Sequence, residues 1–278
     1  MQQSAKQELA KDQNDTIVAW YLLRLNMPTI ESMLQNPMLF AMLGLAAFLI
    51  GLSKGGLPAV AMLSVPIMSL TMSPLKAAAL LLPIYILSDM VSVWLYRKEF
   101  SMENVKTLIP AGILGVLIGW ATAAIVSDRM VSLLIGVMGI TFCLYTWTKK
   151  KSTLPPKAPN LPKGIFWGTL AGFTSFVSHA GAPPFQVYIL PQQLPKMVFA
   201  GTGTIVFTVI NLAKVIPYST LYPYTTSTLK VAACLLPIAV VGTVVGKFLI
   251  ERLSEKWFFL AVQIALFLIS IRLITSAL

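Results

Sequence analysis

The sequence predicts an all-α polytopic membrane protein made of two inverted-topology repeats, each with one interrupted segment and three transmembrane helices. Hydrophobic residues make up 56% of the 278 residues and charged residues 11%, a balance outside the range of soluble domains. The stretches Thr107–Ser127 and Met130–Thr148 carry no charge, and each can cross a bilayer core of roughly 30 Å. A Gly- and Pro-rich interruption also occurs twice along the chain.

The first interruption, Gly51–Pro58, reads Gly-Leu-Ser-Lys-Gly-Gly-Leu-Pro, and the second, Ser178–Pro184, reads Ser-His-Ala-Gly-Ala-Pro-Pro. Three residues of the first match three of the second at one constant offset, and a proline after each interruption matches at the same offset. Lys54, Gly56, Pro58 and then Pro66 fall on His179, Gly181, Pro183 and Pro191. Interrupted hydrophobic segments in corresponding positions of two halves indicate the binding site of a transporter.

Hydropathy divides the chain into a polar, interfacial N-terminal segment (1–36), a first transmembrane repeat (37–148), a cytoplasmic linker (149–163) and a second transmembrane repeat (164–278). A crossing by Ile30–Ile50 is the alternative for the N-terminal region. In the first repeat the apolar pieces Met38–Ile50 and Ala59–Thr71 flank the interruption, and spans follow at Lys76–Tyr96, Thr107–Val126 and Val131–Thr148. The second repeat has Gly164–Ser178 and Phe185–Pro191, then spans at Met197–Ile216, Leu229–Ile250 and Trp257–Ile274.

The distribution of charge predicts the orientation of the two repeats. The net charge is +11, but the basic residues lie between the spans, which argues against nucleic-acid binding. Residues 97–106 and 149–163 are rich in Lys and Arg and are assigned to the cytoplasm, whereas 217–228 carries neither and is assigned outside. Residues 251–256 contain Arg252 and Lys256 and are assigned to the inside, so each repeat crosses an odd number of times. The two Cys residues lie in apolar segments, where a disulfide framework is not expected.

The pattern resembles the sulfite exporter TauE/SafE family of bacterial membrane proteins over residues 37–275. The residues that carry the resemblance are Gly51-x-x-Lys54-Gly55-Gly56-Leu-Pro58, Val65-Pro66, Lys76-Ala77-Ala78-Ala79 and Pro110-Ala-Gly112-Ile-Leu-Gly115-x-x-x-Gly119, with an echo in the second half. The resemblance implies export of sulfite or a small organosulfonate such as sulfoacetate across the bacterial cytoplasmic (inner) membrane, without ATP. His179-Ala180-Gly181 departs from the Gly-Gly type sequence often found there in the family.

Lys54 is the sharpest candidate for an anion-binding residue. It lies in a region from Ser32 to Leu75 with no other charge, and an unpaired lysine at mid-membrane costs roughly 2.5–3.5 kcal/mol. Lys54 should therefore face a polar cavity or a partner, unless it snorkels to the surface. Free N–H groups at a restarting helix favour anions. The predicted substrate-binding residues are Ser53, Lys54, Gly55, Gly56, Ser178, His179, Ala180, Gly181, Thr202 and Thr204.

Three residues are candidates for coupling to an ion: His179, Asp89 and Asn211. His179 is the single histidine and can change charge near neutral pH, although a neutral histidine that caps a helix is equally consistent with its position. Asp89 either balances Lys54, carries a proton or faces a polar crevice, and Asn211 is its approximate equivalent in the second half. Lys214 is near the end of a span and is expected to snorkel. Helix packing alone can explain Gly201 and Gly203, as it does the sets Gly112/Gly115/Gly119 and Gly242/Gly246.

No Walker A, His-Glu-x-x-His, Gly-x-Ser-x-Gly or paired-carboxylate pattern is present, so no enzyme activity, cofactor or metal is expected. The favoured hypothesis is a secondary carrier of a small sulfur oxyanion that works by alternating access and is coupled to H⁺, with Na⁺ as the other candidate. A passive anion channel that uses the same site is the alternative. A membrane protein with an assembly or sensing role is a further one.

Overall fold

The computed structural model describes residues 30–55, 58–123, 125, 127–148, 155–252 and 255–278, and within these ranges the chain forms helices and no strand. The α-helices in chain order are α1 Ile30–Gln35, α2 Pro37–Lys54, α3 Ser64–Met68, α4 Pro74–Tyr96, α5 Met102–Ala123, α6 Asp128–Thr148, α7 Leu161–Ser178, α8 Ala182–Ile189, α9 Lys196–Ala213, α10 Val215–Leu221, α11 Thr226–Arg252 and α12 Glu255–Ala277. The predicted all-α class is confirmed for these residues. Most of the predicted interfacial segment, Gly56 and residues 149–154 of the predicted linker lie outside the described residues.

Among the described residues, six helical stretches are long and apolar enough to cross a membrane. They are Pro37–Lys54, Pro74–Trp94, Met102–Ala123, Asp128–Thr148, Met197–Leu221 and Thr226–Gly246. The last five coincide with predicted uninterrupted spans, and α12 adds the shorter apolar stretch Leu266–Ala277. Exposed apolar side chains such as Trp94, Leu117 and Val244 suit contact with lipid tails.

The first interruption follows α2. Asn36 caps this helix by accepting the Leu39 N–H at 3.1 Å, and the helix ends at Lys54. Helical structure resumes at Pro58 as a 3₁₀ segment, Pro58–Leu63, which continues into α3. The helix is therefore interrupted where the sequence predicts it, with a charged residue at its end.

The second interruption repeats this design. Asn160 caps α7 by accepting the Lys163 N–H at 3.0 Å. The helix ends directly before His179, which has a φ of 54° in the left-handed region, and α8 starts at Ala182. His179 therefore stands at the C-terminal cap, where glycine is the usual residue.

Glycine faces join the two halves of the chain. A Cβ added at Gly115 of α5 would lie 2.0 Å from the Thr169 carbonyl oxygen of α7, and one at Gly242 of α11 would lie 2.4 Å from the Phe48 carbonyl oxygen of α2. The predicted packing role of Gly112, Gly115, Gly119, Gly242 and Gly246 is confirmed by such contacts. The pairs α2–α11, α5–α7, α4–α9 and α6–α12 all cross between halves, so the halves interlock in one bundle.

A proline in α4 leaves one backbone carbonyl free to accept a hydrogen bond from another part of the bundle. Pro83 has no N–H, so the Ala79 carbonyl four residues earlier has no helical donor. The Tyr224 hydroxyl donates to this carbonyl at 2.9 Å. Tyr224 lies between two spans, and burial raises its pKa, so the hydroxyl keeps the proton that it donates.

Candidate functional site

Lys54, at the first interruption, forms an ion pair with Asp89 of α4. The pair joins Lys54 Nζ to Asp89 Oδ1, and the second carboxylate oxygen accepts a hydrogen bond from Asn211 Nδ2 of α9 at 2.6 Å. Asp89 is fully buried and the Lys54 side chain is only 14% exposed. Asp89 therefore balances Lys54, and this geometry is unlike that of a lysine which snorkels from a loop tip.

His179, at the second interruption, packs against α4. Its Nε2 lies 2.9 Å from the Ala78 carbonyl oxygen, and its ring stacks on the Tyr85 ring with centroids 4.2 Å apart. A non-glycine residue in the left-handed region costs roughly 1–2 kcal/mol, and here the contacts of the buried ring offset that cost.

Lys214 corrects the sequence prediction, because its side chain does not snorkel. It lies between α9 and α10 with 0% exposure. Its Nζ is 2.8 Å from His179 Nδ1, and it donates to the Ser175 carbonyl at 3.1 Å and to Ser175 Oγ at 3.0 Å. The apolar sequence around Lys214 gave no sign of these buried contacts. Its position three residues after Asn211, which places both side chains on one helix face, is the signal that pointed to them.

Tyr85 connects the two interruptions and is not among the residues predicted from the sequence. Its hydroxyl lies 2.8 Å from Ser64 Oγ and donates to the Ala61 carbonyl at 3.1 Å, which ties it to the arm after the first interruption. Its ring stacks on His179 and lies 6.0 Å below the Lys54 ammonium. The spacing of Tyr85 and Asp89, four residues apart on α4, is the signal that would have found it.

The predicted binding residues next to Lys54 and His179 mostly make contacts that support helix packing. Ser178 Oγ donates to the Thr174 carbonyl of its own helix at 3.4 Å, the alternative expected for a serine in a helix. A Cβ at Gly181 would lie 2.5 Å from the Phe207 ring, so this glycine allows close packing. Ala180 is buried, whereas Ser53 and Gly55 are partly exposed beside Lys54.

Thr202 and Thr204 come earlier in α9 than Asn211. They therefore lie apart from the polar cluster, which consists of Lys54, Tyr85, Asp89, His179, Asn211 and Lys214. Thr202 is nine residues before Asn211, which is about 13 Å along a helix at 1.5 Å per residue. The Thr202 hydroxyl donates to the Val198 carbonyl at 2.6 Å and accepts the Ser101 N–H at 2.9 Å. It therefore binds the backbone directly before α5. Thr204 is partly exposed. The described hydrogen bonds of Lys54 and His179 do not include these two hydroxyls.

The electrostatic balance of the cluster leaves one ammonium without a direct counter-ion. Lys54 is paired with Asp89, but within the described part of the chain no carboxylate oxygen lies within 4.0 Å of Lys214 Nζ. Lys214 is held by a carbonyl, a hydroxyl and an imidazole nitrogen instead. The described residues also contain no group of three His, Cys, Asp or Glu that could hold a metal ion. A buried lysine with only neutral direct partners is costly in its charged form, and an anion in contact with it would stabilise that form.

The sequence model of a protein family, sulfite exporter TauE/SafE, matches residues 43–273, which include both interruptions and the whole polar cluster. The chain belongs to the sulfite exporter TauE/SafE family. The resemblance found in the sequence is thereby confirmed, and the protein is a multi-pass membrane protein of a transporter family rather than an enzyme family. Neither a curated protein nor a solved structure matches this TauE/SafE chain.

Proposed function

We propose that this TauE/SafE protein is a secondary transporter that exports a small sulfur-containing anion across the bacterial cytoplasmic membrane. The cargo is sulfite or a small organosulfonate such as sulfoacetate, and export is coupled to protons. The family supports the class of cargo.

The observation that carries the proposal is the meeting of two basic groups from two helix interruptions at one buried ring. Lys54 lies over Tyr85 and His179 stacks on it, although the two residues come from different halves of the chain. Interrupted helices that converge inside a membrane bundle are a recurrent design for substrate sites in secondary transporters. Packing alone does not require charged groups at these positions.

Binding of the anion proceeds by exchange of partners at Lys54. In the described state the ammonium is paired with Asp89, and Asn211 holds the second carboxylate oxygen. An anion takes the place of Asp89 at the ammonium and adds bonds from N–H groups at the interruption. The free carboxylate then becomes a candidate proton acceptor, and His179 is the other one.

Transport proceeds by rocking of the two halves around this cluster, and the halves are inverted relative to each other. The cross-half helix pairs and the duplicated Asn-capped helices support equivalent halves. Their inversion rests on the charge pattern of the loops. Alternating access, rather than an open pore, fits a cluster whose groups are buried and paired.

The test is anion flux from liposomes that contain the purified protein. We expect sulfite flux to follow an imposed pH gradient, and we expect Lys54→Ala to lower it by about tenfold or more, because a hydrogen bond to a charged group contributes roughly 1.5–3 kcal/mol. Lys163→Ala is the matched control, since Lys163 is an exposed lysine at the start of α7.

Equal flux in the wild type and Lys54→Ala would remove the site from the proposal. Flux that ignores an opposing proton gradient would instead favour a passive channel. The absence of flux for any sulfur anion would favour an assembly or sensing role.

A further inference from the structure

We propose that Lys214 holds His179 in its neutral form, and that the transported anion admits a proton to His179 by drawing the Lys214 ammonium away. The inference rests on the proposed function and assigns a role to Lys214 in the coupling of anion and proton. The hydrogen bonds of the imidazole support this role.

The partners of the two ring nitrogens fix the tautomer of His179. Nε2 faces the Ala78 carbonyl oxygen at 2.9 Å, and a carbonyl only accepts, so Nε2 carries a hydrogen. Nδ1 faces Lys214 Nζ at 2.8 Å. We assign the hydrogen between these two atoms to Lys214, so that Nδ1 accepts it with its lone pair and the imidazole is neutral.

The contacts of Lys214 account for all three hydrogens of a charged ammonium. Its partners are the Ser175 carbonyl oxygen, Ser175 Oγ and His179 Nδ1, each of which can accept. A proton on Nδ1 would set one N–H group against another and place two positive charges in contact. The ammonium at Nδ1 and a proton on Nδ1 therefore exclude each other.

The other titratable groups around His179 make no described hydrogen bond to Nδ1, which faces Lys214. The other titratable groups that face His179 are Tyr85 of α4 and Tyr218 of α10, whose rings contact it, and Lys54, which lies over Tyr85 and is paired with Asp89. The Tyr218 hydroxyl is already bonded to the Phe176 carbonyl. An anion in the cluster supplies Lys214 with a counter-charge in direct contact, since the nearby carboxylate of Asp89 is paired with Lys54. When Lys214 turns to the anion, Nδ1 is freed and one proton from the aqueous phase can bind there.

The single histidine of the chain makes this directly measurable, because ¹⁵N-histidine labelling gives one imidazole signal. In lipid nanodiscs at neutral pH, we expect the wild-type signal to be that of a neutral imidazole with the hydrogen on Nε2. In Lys214→Met the imidazole should become protonated at a pH about 1–3 units higher, because a like charge in contact has been removed. Lys163 is an exposed lysine on the same helix as Ser175, so Lys163→Met should leave the titration of His179 unchanged.

Methanesulfonate is the anion probe, since it carries one negative charge and does not titrate in this range. It should move the wild-type titration to higher pH and move that of Lys214→Met less. Lys214→Arg, which keeps a charged donor at this position, should titrate like the wild type and shows that substitution alone does not cause the shift.

Three results would overturn the inference. They are a wild-type imidazole that is charged or carries its hydrogen on Nδ1 at neutral pH, equal titration of the wild type and Lys214→Met, and a wild-type titration indifferent to methanesulfonate while sulfite flux persists. The first can be read without any variant, so a misfolded Lys214→Met does not prevent a decision. Loss of flux in the wild-type liposomes would instead refute the proposed function.

Discussion

At the scale of single residues, the polar cluster depends on how each buried charge is neutralised. Lys54 has a carboxylate, whereas Lys214 has only neutral acceptors. Removing one member of a buried ion pair lowers the stability more than removing both members. The remaining charge keeps its desolvation penalty but has lost its partner. This difference gives a test of the pair between Lys54 and Asp89 that is independent of transport.

Asp89→Asn should destabilise the protein by about 3 kcal/mol, since it leaves the Lys54 ammonium without a counter-ion at a largely buried position. The double variant Lys54→Met/Asp89→Asn should recover most of the loss. Thermal unfolding in detergent, followed by the fluorescence of the six tryptophans, measures both. A double variant less stable than Asp89→Asn would mean that Lys54 stabilises the protein through contacts other than this ion pair.

At the scale of helices, close approach between α2 and α11 depends on one glycine of α2 and not on another. A Cβ at Gly51 would lie 1.9 Å from the Ala239 carbonyl oxygen, a backbone atom that cannot move aside alone. A Cβ at Gly44 would lie 3.6 Å from the Ile238 side chain, an ordinary contact. Helix propensity by itself would favour alanine at both positions.

Gly51→Ala should therefore destabilise the protein by about 1–3 kcal/mol, the usual range for overpacking, because α2 and α11 must separate. Gly44→Ala, on the same helix, is the matched control and should be neutral or stabilising by up to about 1 kcal/mol. Thermal unfolding in detergent compares the two. Equal midpoints for both variants would show that the α2–α11 seam adapts to an added methyl group.

Several of these features follow from local sequence. The helix interruptions and the glycine faces were predicted because glycine and proline act through the adjacent backbone. The Asn caps were not named in advance, although they too act locally. Asp89 and Asn211 were named as approximate equivalents in the two repeats, but their hydrogen bond was not predicted. Tyr85 and Lys214 were missed because their partners lie far away along the chain, and hydropathy does not say which way a side chain points.

At the scale of the whole molecule, the two halves are joined by their interrupted helices. α2 packs on α11 of the second half, and α7 packs on α5 of the first. The charge pattern of the loops further predicts that residues 97–106 and the linker face the cytoplasm while residues 217–228 face outside. This orientation would make the halves inverted repeats.

Labelling of single cysteines tests the orientation. In a background with both native cysteines changed to alanine, Pro223→Cys should react with a membrane-impermeant maleimide in intact spheroplasts. Lys98→Cys and Lys157→Cys should react only after the membrane is opened, and all three positions are exposed in the structure. Reaction of Pro223→Cys and Lys98→Cys from the same side would refute the inverted arrangement.

The sequence by itself determined the helical class, five of the six predicted uninterrupted spans and the places where two helices break. Each of these depends on hydropathy or backbone chemistry within a short stretch. The tertiary structure alone decided that Lys214 turns inward to His179 and that Tyr85 lies between the two interruptions. The physical reason is that a charge in an apolar span must find a partner or reach water, and only the packing of distant helices determines which of the two is available.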